Sequence, residues 1–286
     1  MSGALFFTLA IWAVGWAAVI LVMRVTPSRG TVAILGNLAV PIIFGATLLG
    51  LWESIVIGFH VPPIILPAPS HIAAKLVTSL PTLGADFVQT MKGLLAGYVI
   101  GCGSGFLVAL LIDRSPFLQR GLLPLGNFVS ALPIVGVAPI MVMWFGFDWQ
   151  SKAAVVVIMT FFPMLVNTNA GLAASGHMER DLMKTYGASE GQTLTKLRLP
   201  AALPFIFNGL KINATLALIG AIVAEFFGTP IVGMGFRINT EVGRMNIEMV
   251  WATIVVAALT GSVFYGIIAL VERRVTFWHA SYRQRK

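Results

Sequence analysis

Five polar side chains stand inside long apolar stretches of this sequence, where amide and hydroxyl groups are costly unless they are hydrogen-bonded. They are Asn167, Thr168, Asn169, Asn213 and Thr215. Such groups can hydrogen-bond a polar solute that moves between helices, and they can equally bond a neighbouring helix. The residue types therefore indicate either a pathway for a polar solute or helix–helix packing.

Two charged residues lie in the same kind of surroundings. Lys211 is near one end of its apolar stretch, where a lysine can extend its amine to the interface. Glu225 is near the other end of that stretch. Its carboxylate is either exposed at the interface or part of a gate or a partner contact.

No set of residues predicts catalysis. The single Cys102 excludes a disulfide within the chain and is typical of a small buried residue. The sequence has no G-x-x-x-x-G-K-[ST] phosphate loop. We therefore expect no catalytic residue, no cofactor-binding residue and no metal ligand. The histidines, none with ligand spacing, are His60, His71, His177 and His279.

The composition is that of a membrane protein. Hydrophobic residues make up 57% of the 286 residues and charged residues only 10%, whereas soluble domains carry about 25% charged residues. Only a bilayer offers that many side chains apolar surroundings. The net charge of +8 does not indicate nucleic-acid binding, because no basic stripe alternates with aromatic residues. We expect contacts with membrane lipid and none with nucleic acid.

Seven apolar stretches are long enough to cross a bilayer as helices, which takes about 20 residues each. The fourth contains Pro133 and Pro139, so we expect it to be kinked or partly unwound. The predicted fold class is an all-α integral membrane bundle with about seven transmembrane helices. The stretches are Leu5–Met23, Ala33–Trp52, Gly93–Ile112, Leu122–Phe145, Ala153–Leu172, Phe205–Phe227 and Val250–Val271.

The basic residues predict the orientation. The first stretch is preceded by no Lys or Arg and is followed by Arg24 and Arg29, which favours an uncleaved helix with its N-terminus outside. With this orientation, thirteen of the nineteen Lys and Arg residues lie in cytoplasmic segments and five lie outside. We therefore expect a cytoplasmic C-terminus and a cytoplasmic location for the polar segment 176–204.

A proline-rich connection from Glu53 to Met91 is external in this orientation. Within it, Ser70 precedes the amphipathic sequence His71–Val77. Serine is a favoured N-terminal cap. We expect Ser70 to cap a short helix that lies along the membrane surface.

The 176–204 segment carries the signals of two short helices and a tight bend. Ser189 and Gln192 have the S-x-x-Q spacing of a capping box, and Gly187 fits a helix end that needs positive φ. Leu199 precedes Pro200, which disfavours further helix there. The apolar side chains of the 176–204 segment either rest on the bilayer or fill a groove in a partner. They are Met178, Leu182, Met183, Leu194 and Leu197.

The spacing in this segment resembles the cytoplasmic EAA loop of ABC importer permeases. That loop reads E-A-A, three residues, G, nine residues, then I-x-L-P. Here Gly187 precedes Leu197-Arg198-Leu199-Pro200 by nine residues, and Asp181-Leu182-Met183 holds the E-A-A positions. The acidic residue is thus shorter, bulkier residues replace the alanines, and leucine replaces the isoleucine.

Other short matches within residues 33–275 are similar to the nitrate, sulfonate and taurine branch of that family. They are Gly187-Ala188-Ser189, Pro200-Ala201-Ala202-Leu203-Pro204, Gly209-Leu210, Leu66-Pro67-Ala68-Pro69-Ser70, Trp144-Phe145-Gly146 and Ala224-Glu225. The resemblance implies a type I ABC importer permease of the bacterial inner membrane, with a six-helix core and an extra N-terminal helix. Its solute would be small and polar or anionic, such as a sulfonate, nitrate, taurine or a vitamin precursor.

The resemblance also implies partners. These are a dimer of ATPase subunits that binds ATP and Mg, a second and identical permease copy, and a periplasmic or lipid-anchored solute-binding protein. The chain itself would be no enzyme. The candidates for the translocation pathway are the five polar residues above and Glu225. The resemblance assigns ATPase coupling to a separate set of residues, which are Asp181, Leu182, Met183, Gly187, Ala188, Ser189, Leu197, Leu199 and Pro200.

The resemblance divides the chain into an N-terminal helix with its linker (1–32), the permease domain (33–275) and a basic tail (276–286). An ion-gradient-driven secondary transporter is the alternative function. It is disfavoured because we find no internal repeat and no Asp within the seven stretches. A membrane enzyme is disfavoured because no convergent set of catalytic groups is visible.

Overall fold

The computed structural model describes residues 2–25, 31–130, 132–228 and 231–278, and over these residues it is helical without any β-strand. The predicted all-α fold class is confirmed. Arg29, His279 and the end of the basic tail lie outside the described residues. The helices are α1 (Ser2–Val25), α2 (Thr31–Gly58), α3 (Pro69–Thr78), α4 (Leu80–Asp113), α5 (Pro116–Ser130), α6 (Ile134–Phe145), α7 (Trp149–Ala173), α8 (His177–Thr185), α9 (Glu190–Thr193), α10 (Leu199–Glu225), α11 (Met234–Gly243) and α12 (Ile247–Val275).

Six described helices are long and apolar enough to cross a membrane. The fourth predicted stretch is instead divided between α5 and the short apolar helix α6. Pro133 stands at the N-cap of α6, so the expected break at this proline is confirmed. The six spans are Phe6–Arg24, Leu38–Gly58, Leu80–Asp113, Trp149–Ala173, Glu190–Phe227 and Ile247–Val275.

The chain forms two compact units, of which the first comprises residues 1–80 and 240–253. In it α1 packs on α2. The prediction that Ser70 caps α3 is wrong, because α3 begins at Pro69 with Ala68 as its N-cap. Proline suits the first helical position. The Ser70 hydroxyl and N–H instead donate to the carboxylate of Glu53, at 2.6 and 3.0 Å.

The second unit comprises residues 81–239 and 254–286 and has its main core between α4, α7, α10 and α12. The Tyr98 hydroxyl donates to the Leu210 carbonyl at 3.0 Å, and its ring meets the edge of Phe264. The hydroxyl of Tyr98 therefore has its hydrogen-bond acceptor inside the core. Core residues include Leu94, Cys102, Val156, Met164, Leu172, Ala214, Ala217, Ala221 and Met234.

Four glycines on one face of α4 let that helix lie directly against α7. They are Gly93, Gly97, Gly101 and Gly105. A Cβ at Gly97 would stand 2.5 Å from the Cβ of Val156 and 2.6 Å from the Ala153 carbonyl oxygen. A Cβ at Gly105 would stand 2.5 Å from the Phe161 carbonyl oxygen. Small residues at every fourth position permit such close approach of membrane helices.

Candidate functional site

Helix α8 ends in a turn that requires glycine. Gly187 has φ +69°. Its N–H donates to the Lys184 carbonyl, and the Ala188 N–H donates to the Met183 carbonyl, both at 2.9 Å. This is the Schellman pair of hydrogen bonds that closes a helix on a left-handed residue. The predicted cap at Gly187 is confirmed.

The start of α9 has the predicted capping box. The Ser189 hydroxyl accepts from the Gln192 N–H at 3.3 Å, and the Gln192 side-chain oxygen accepts from the Ser189 N–H at 2.8 Å. Only one residue, Ala188, separates this box from Gly187. The bend between α8 and α9 is therefore fixed by hydrogen bonds on both sides.

The prediction that Leu199-Pro200 interrupts the helix is wrong. α9 leads through a π-helical turn, Leu194–Arg198, directly into α10. The Leu199 N–H donates to the Leu194 carbonyl, five residues back. Pro200 lies in the first turn of α10, where a helix tolerates its missing N–H. The 176–204 segment is thus continuous with a candidate membrane span, Glu190–Phe227.

Two arginines of this segment converge on the C-terminal end of α7. Arg180 donates to the Leu172 and Ala173 carbonyls at 3.1 and 3.2 Å. Arg198 donates to the same Leu172 carbonyl at 3.2 Å and forms a two-pronged ion pair with Asp113, at 2.7 and 2.5 Å. Both contacts satisfy carbonyls that lack an intrahelical partner. The base of the segment is therefore attached to α4 and α7.

The tip of the segment presents an apolar face that this chain leaves open. No residue of α8 is buried, and the exposed fractions of Met178, Leu182 and Tyr186 are 85, 56 and 81%. Lone exposed apolar residues need no explanation, but a cluster of them on one short helix indicates an interaction surface. Asp181 is also exposed on α8.

The other coupling candidates lie deeper. Met183, Ala188 and Leu197 are half-buried, and Leu199 packs against the main core. The apolar residues therefore divide between the inside of the segment and its exposed face. An open groove of about 540 Å³ beside them is lined by Asp113, Arg114, Glu190, Gly191, Leu194 and Arg198.

The structure places two of the pathway candidates inside the bundle. Asn213 is fully buried, and its amide donates to the Thr160 carbonyl at 2.8 Å and to the Cys102 sulfur at 3.2 Å. Thr168 is also fully buried. Asn213 thus joins α10 to α4 and α7, which is the helix–helix packing that the sequence left as one of two interpretations.

The remaining three pathway candidates lie nearer the surface. Asn167 donates to the Pro163 carbonyl at 2.8 Å and accepts from Asn208 at 3.1 Å. Asn169 is half-buried and Thr215 is exposed. The five candidates therefore do not line a single face. Asn167, Asn169 and Thr215 are at least partly exposed.

Glu225 is not exposed at an interface. Its side chain is 2% exposed, and its carboxylate accepts from the Thr90 hydroxyl at 2.9 Å and the Gly235 N–H at 2.7 Å. Thr90 in turn accepts from the Met234 N–H at 2.9 Å. Buried carboxylates persist only where such donors compensate for lost water. Glu225 therefore fixes the start of α11 to α4 and α10.

A second buried carboxylate stands beside it. Asp86 is fully buried and accepts from the Gly233 N–H at 2.8 Å and from Arg237 at 2.8 and 3.3 Å. Lys152, 2% exposed, donates to the Phe147 and Gly228 carbonyls. Two acids and two bases therefore tie the described part of the 228–237 segment, residue 228 and residues 231–237, to α4, α7 and α10. Sequence reasoning missed this cluster, because its members are remote in the chain.

Two further statements from the sequence need correction. Lys211 does not simply extend to the interface, because its amine pairs with the buried Glu272 at 2.7 Å. The expectation that no Asp lies within a membrane span is also wrong. α4 begins at Leu80, so that Asp86 and Asp113 both belong to a candidate span. The sequence does contain a signal for the packing of α4, which is a glycine at every fourth position from Gly93 to Gly105.

Among the described residues, no group of three or more His, Cys, Asp or Glu side chains is arranged to hold a metal ion. Outside the candidate spans, hydrogen bonds from the Gln89 amide and the Trp149 N–H keep the pKa of Asp148 below its usual value. Asp148 thereby caps α7 as a carboxylate.

Comparison with known proteins gives a family match over most of the helical bundle. Residues 93–277 match the model of the family described as binding-protein-dependent transport system inner membrane component. The match begins within α4 and includes the whole 176–204 segment. It also includes the buried charged residues Lys152, Glu225 and Arg237, whereas Asp86 and Thr90 precede it.

Several curated proteins are similar over most of their length. The formylaminopyrimidine transport permease protein ThiX of Halalkalibacterium halodurans is 30% identical, covering 83% of this chain and 95% of its own. The putative aliphatic sulfonates transport permease protein SsuC of Bacillus subtilis is 27% identical, covering 91% and 93%. The taurine transport system permease protein TauC of Escherichia coli is 27% identical, covering 82% and 87%.

Proposed function

Since this chain belongs to the family of binding-protein-dependent transport system inner membrane components, the permeases of ABC importers, we propose that it carries a small polar or anionic solute inward under the drive of a separate ATPase subunit. It is a multi-pass inner membrane protein, and its family consists of transport permeases rather than enzymes. The observation that supports coupling is the exposed apolar face of α8, which belongs to a segment whose base is attached to α4 and α7.

The 176–204 segment is the proposed contact with the ATPase. Its exposed residues Met178, Leu182 and Tyr186 have the character of an amphipathic helix that fills a partner's groove. Asp181, Gly187 and Ser189 shape the tip, while Leu197, Leu199 and Pro200 lead into α10. A displacement of the tip would therefore reach a membrane span without passing through a flexible joint.

The orientation follows from this role. A contact with an ATPase requires the 176–204 segment in the cytoplasm, which agrees with the positive-inside distribution of Lys and Arg. Arg198 holds the C-terminal ends of both α4 and α7, so α5 and α6 together make one further crossing between them. With the six spans this gives seven crossings, and the N-terminus then faces outside and the C-terminus the cytoplasm. We further propose two identical copies of this chain, two ATPase subunits that bind ATP and Mg, and a periplasmic or lipid-anchored solute-binding protein.

The solute class is proposed from the relatives. Their names specify a formylaminopyrimidine, aliphatic sulfonates and taurine, which share small size and polar or charged groups. Asn167, Asn169 and Thr215 are the proposed pathway residues that are at least partly exposed. Purified complex tested for ATP-driven uptake of each class would identify the solute. Uptake driven by an ion gradient without ATP would contradict this function.

Replacing Leu182 with glutamate tests the contact. The chain is purified together with its ATPase subunit, and the amount of bound ATPase is measured. Loss of a central apolar contact costs about 2 kcal/mol or more, so we expect roughly 30-fold weaker binding. Ile231→Glu is the matched control, since Ile231 is 80% exposed and lies outside the 176–204 segment. Equal ATPase binding by both variants would contradict docking through α8.

Replacing Gly187 with valine tests the bend. No atom stands within 4 Å of a Cβ at Gly187, so the cost arises from its φ of +69° alone and is about 1–2 kcal/mol. We expect the bend to open and substrate-stimulated ATPase activity to fall about tenfold. Gly191→Val is the control, because Gly191 is equally open without positive φ. Normal stimulated activity in Gly187→Val would contradict a requirement for this bend.

A further inference from the structure

Helix α4 carries an aspartate near each of its ends, and each aspartate forms a two-pronged ion pair with an arginine from a distant segment. At one end Asp113 pairs with Arg198 of the 176–204 segment, 85 residues away. At the other end Asp86 pairs with Arg237 of α11, 151 residues away. The same device thus occurs at both ends of one helix.

Both pairs are shielded from solvent and reinforced by backbone contacts. The arginine side chains are each 16% exposed, and the aspartates are 15% and 0% exposed. Asp86 also accepts the Gly233 N–H, while Arg198 also donates to the Leu172 carbonyl. Planar two-pronged contacts fix orientation as well as distance. Each arginine therefore holds its segment in one position relative to α4.

The helix between the pairs is continuous. The stretch from Asp86 to Asp113 contains no proline, and α4 runs without a break from Leu80 to Asp113. At 1.5 Å per residue, the two aspartates are about 40 Å apart along the axis. A rigid helix of that length transmits a displacement or rotation from one end to the other.

We propose that α4 is the mechanical link between the 176–204 segment and the 228–237 segment, with Asp113 and Asp86 as the positioning residues at its two ends. The inference rests on the proposed function, because it takes the ATPase to act on the 176–204 segment. It goes beyond that function by naming the helix, and the two ion pairs, through which a nucleotide-driven movement reaches the opposite face of the membrane.

The test uses the full chain purified with its ATPase and placed in lipid nanodiscs. A spin label is attached at Ile231→Cys in a Cys102→Ala background, since Ile231 is 80% exposed and Cys102 is the only cysteine. We expect ATP with vanadate to change the label's spectrum. Asp113→Asn, at the far end of α4, is expected to reduce that change at least about fivefold while ATPase binding persists.

Three further variants separate transmission from a merely structural role. The charge swap Asp113→Arg with Arg198→Asp restores at least half of the spectral change if the pair itself is the link. Arg198→Lys keeps the charge but loses the two-pronged contact, and it replaces Asp113→Asn if that variant loses the ATPase. Lys92→Gln removes an exposed charge from the same helix and leaves the spectral change intact.

The outcomes distinguish the two proposals. An unmodified complex that binds no ATPase would contradict both. An unmodified complex that binds the ATPase but shows no response at residue 231 to ATP with vanadate would overturn only the link through α4. A full response at residue 231 in Asp113→Asn and Arg198→Lys, with the ATPase bound, would overturn only the link through α4. A reduced response that the charge swap restores supports it.

Discussion

Replacing Gly97 with leucine is expected to separate α4 from α7 and to lower the free energy of unfolding by about 3 kcal/mol or more. A Cβ at this position would stand 2.5 Å from the Cβ of Val156 and 2.6 Å from the Ala153 carbonyl oxygen. A backbone oxygen cannot move aside as a flexible side chain can. The helices must therefore part, and the packing around the buried Val156 is lost. Unfolding in detergent micelles with increasing SDS measures this effect.

Gly103→Leu is the matched control for that substitution. Gly103 lies on the same helix, and no atom stands within 4 Å of a Cβ built there. Both variants gain the same intrinsic helix preference of leucine over glycine, which is about 1 kcal/mol. The difference between them therefore isolates the α4–α7 contact. If Gly97→Leu unfolds at the same SDS fraction as Gly103→Leu, the close approach is not important for stability.

The parts of the structure that sequence reasoning predicted are governed by local interactions. The cap at Gly187 and the box formed by Ser189 and Gln192 are made within a few residues, so spacing alone identifies them. The break at Pro133 follows in the same way from the missing N–H of proline. Apolar length identified the membrane spans, because a bilayer requires it.

The errors arise where a distant residue decides a local choice. Ser70 has the properties of an N-cap, but its hydroxyl donates to the carboxylate of Glu53, and Ala68 is the N-cap of α3 instead. Pro200 has the properties of a helix stop, but Arg198, just before it, is held by Asp113 and the Leu172 carbonyl, and Pro200 lies in the first turn of α10. Local preferences are weak compared with such tertiary contacts.

Long-range pairing also explains why the charged cluster was not predicted. In the sequence the apolar stretch that marks α4 starts at Gly93, which predicts that Asp86 lies in an external connection. Asp86 accepts from Gly233 and Arg237, 147 and 151 positions away, and Glu225 accepts from Thr90, 135 positions away. No spacing rule connects residues about 150 positions apart, so only the fold reveals that they compensate one another.

The buried pair of Asp86 and Arg237 leads to a second large effect. Arg237→Gln is expected to lower the free energy of unfolding by about 3–5 kcal/mol, because it leaves the fully buried carboxylate of Asp86 without its counter-charge. The Gly233 N–H remains as a donor but carries no full charge. The SDS fraction at half-unfolding, compared with that of the unmodified chain, measures the loss.

Two further variants decide whether the lost charge is the cause. Arg274→Gln makes the same change at an exposed arginine in the last turn of α12 and should cost only about 0–1 kcal/mol. Adding Asp86→Asn to Arg237→Gln removes the uncompensated charge, so the double variant should be more stable than Arg237→Gln alone. A double variant that is less stable than the single one would show that the arginine acts through packing, and the ion pair would lose its assigned role in holding the 228–237 segment.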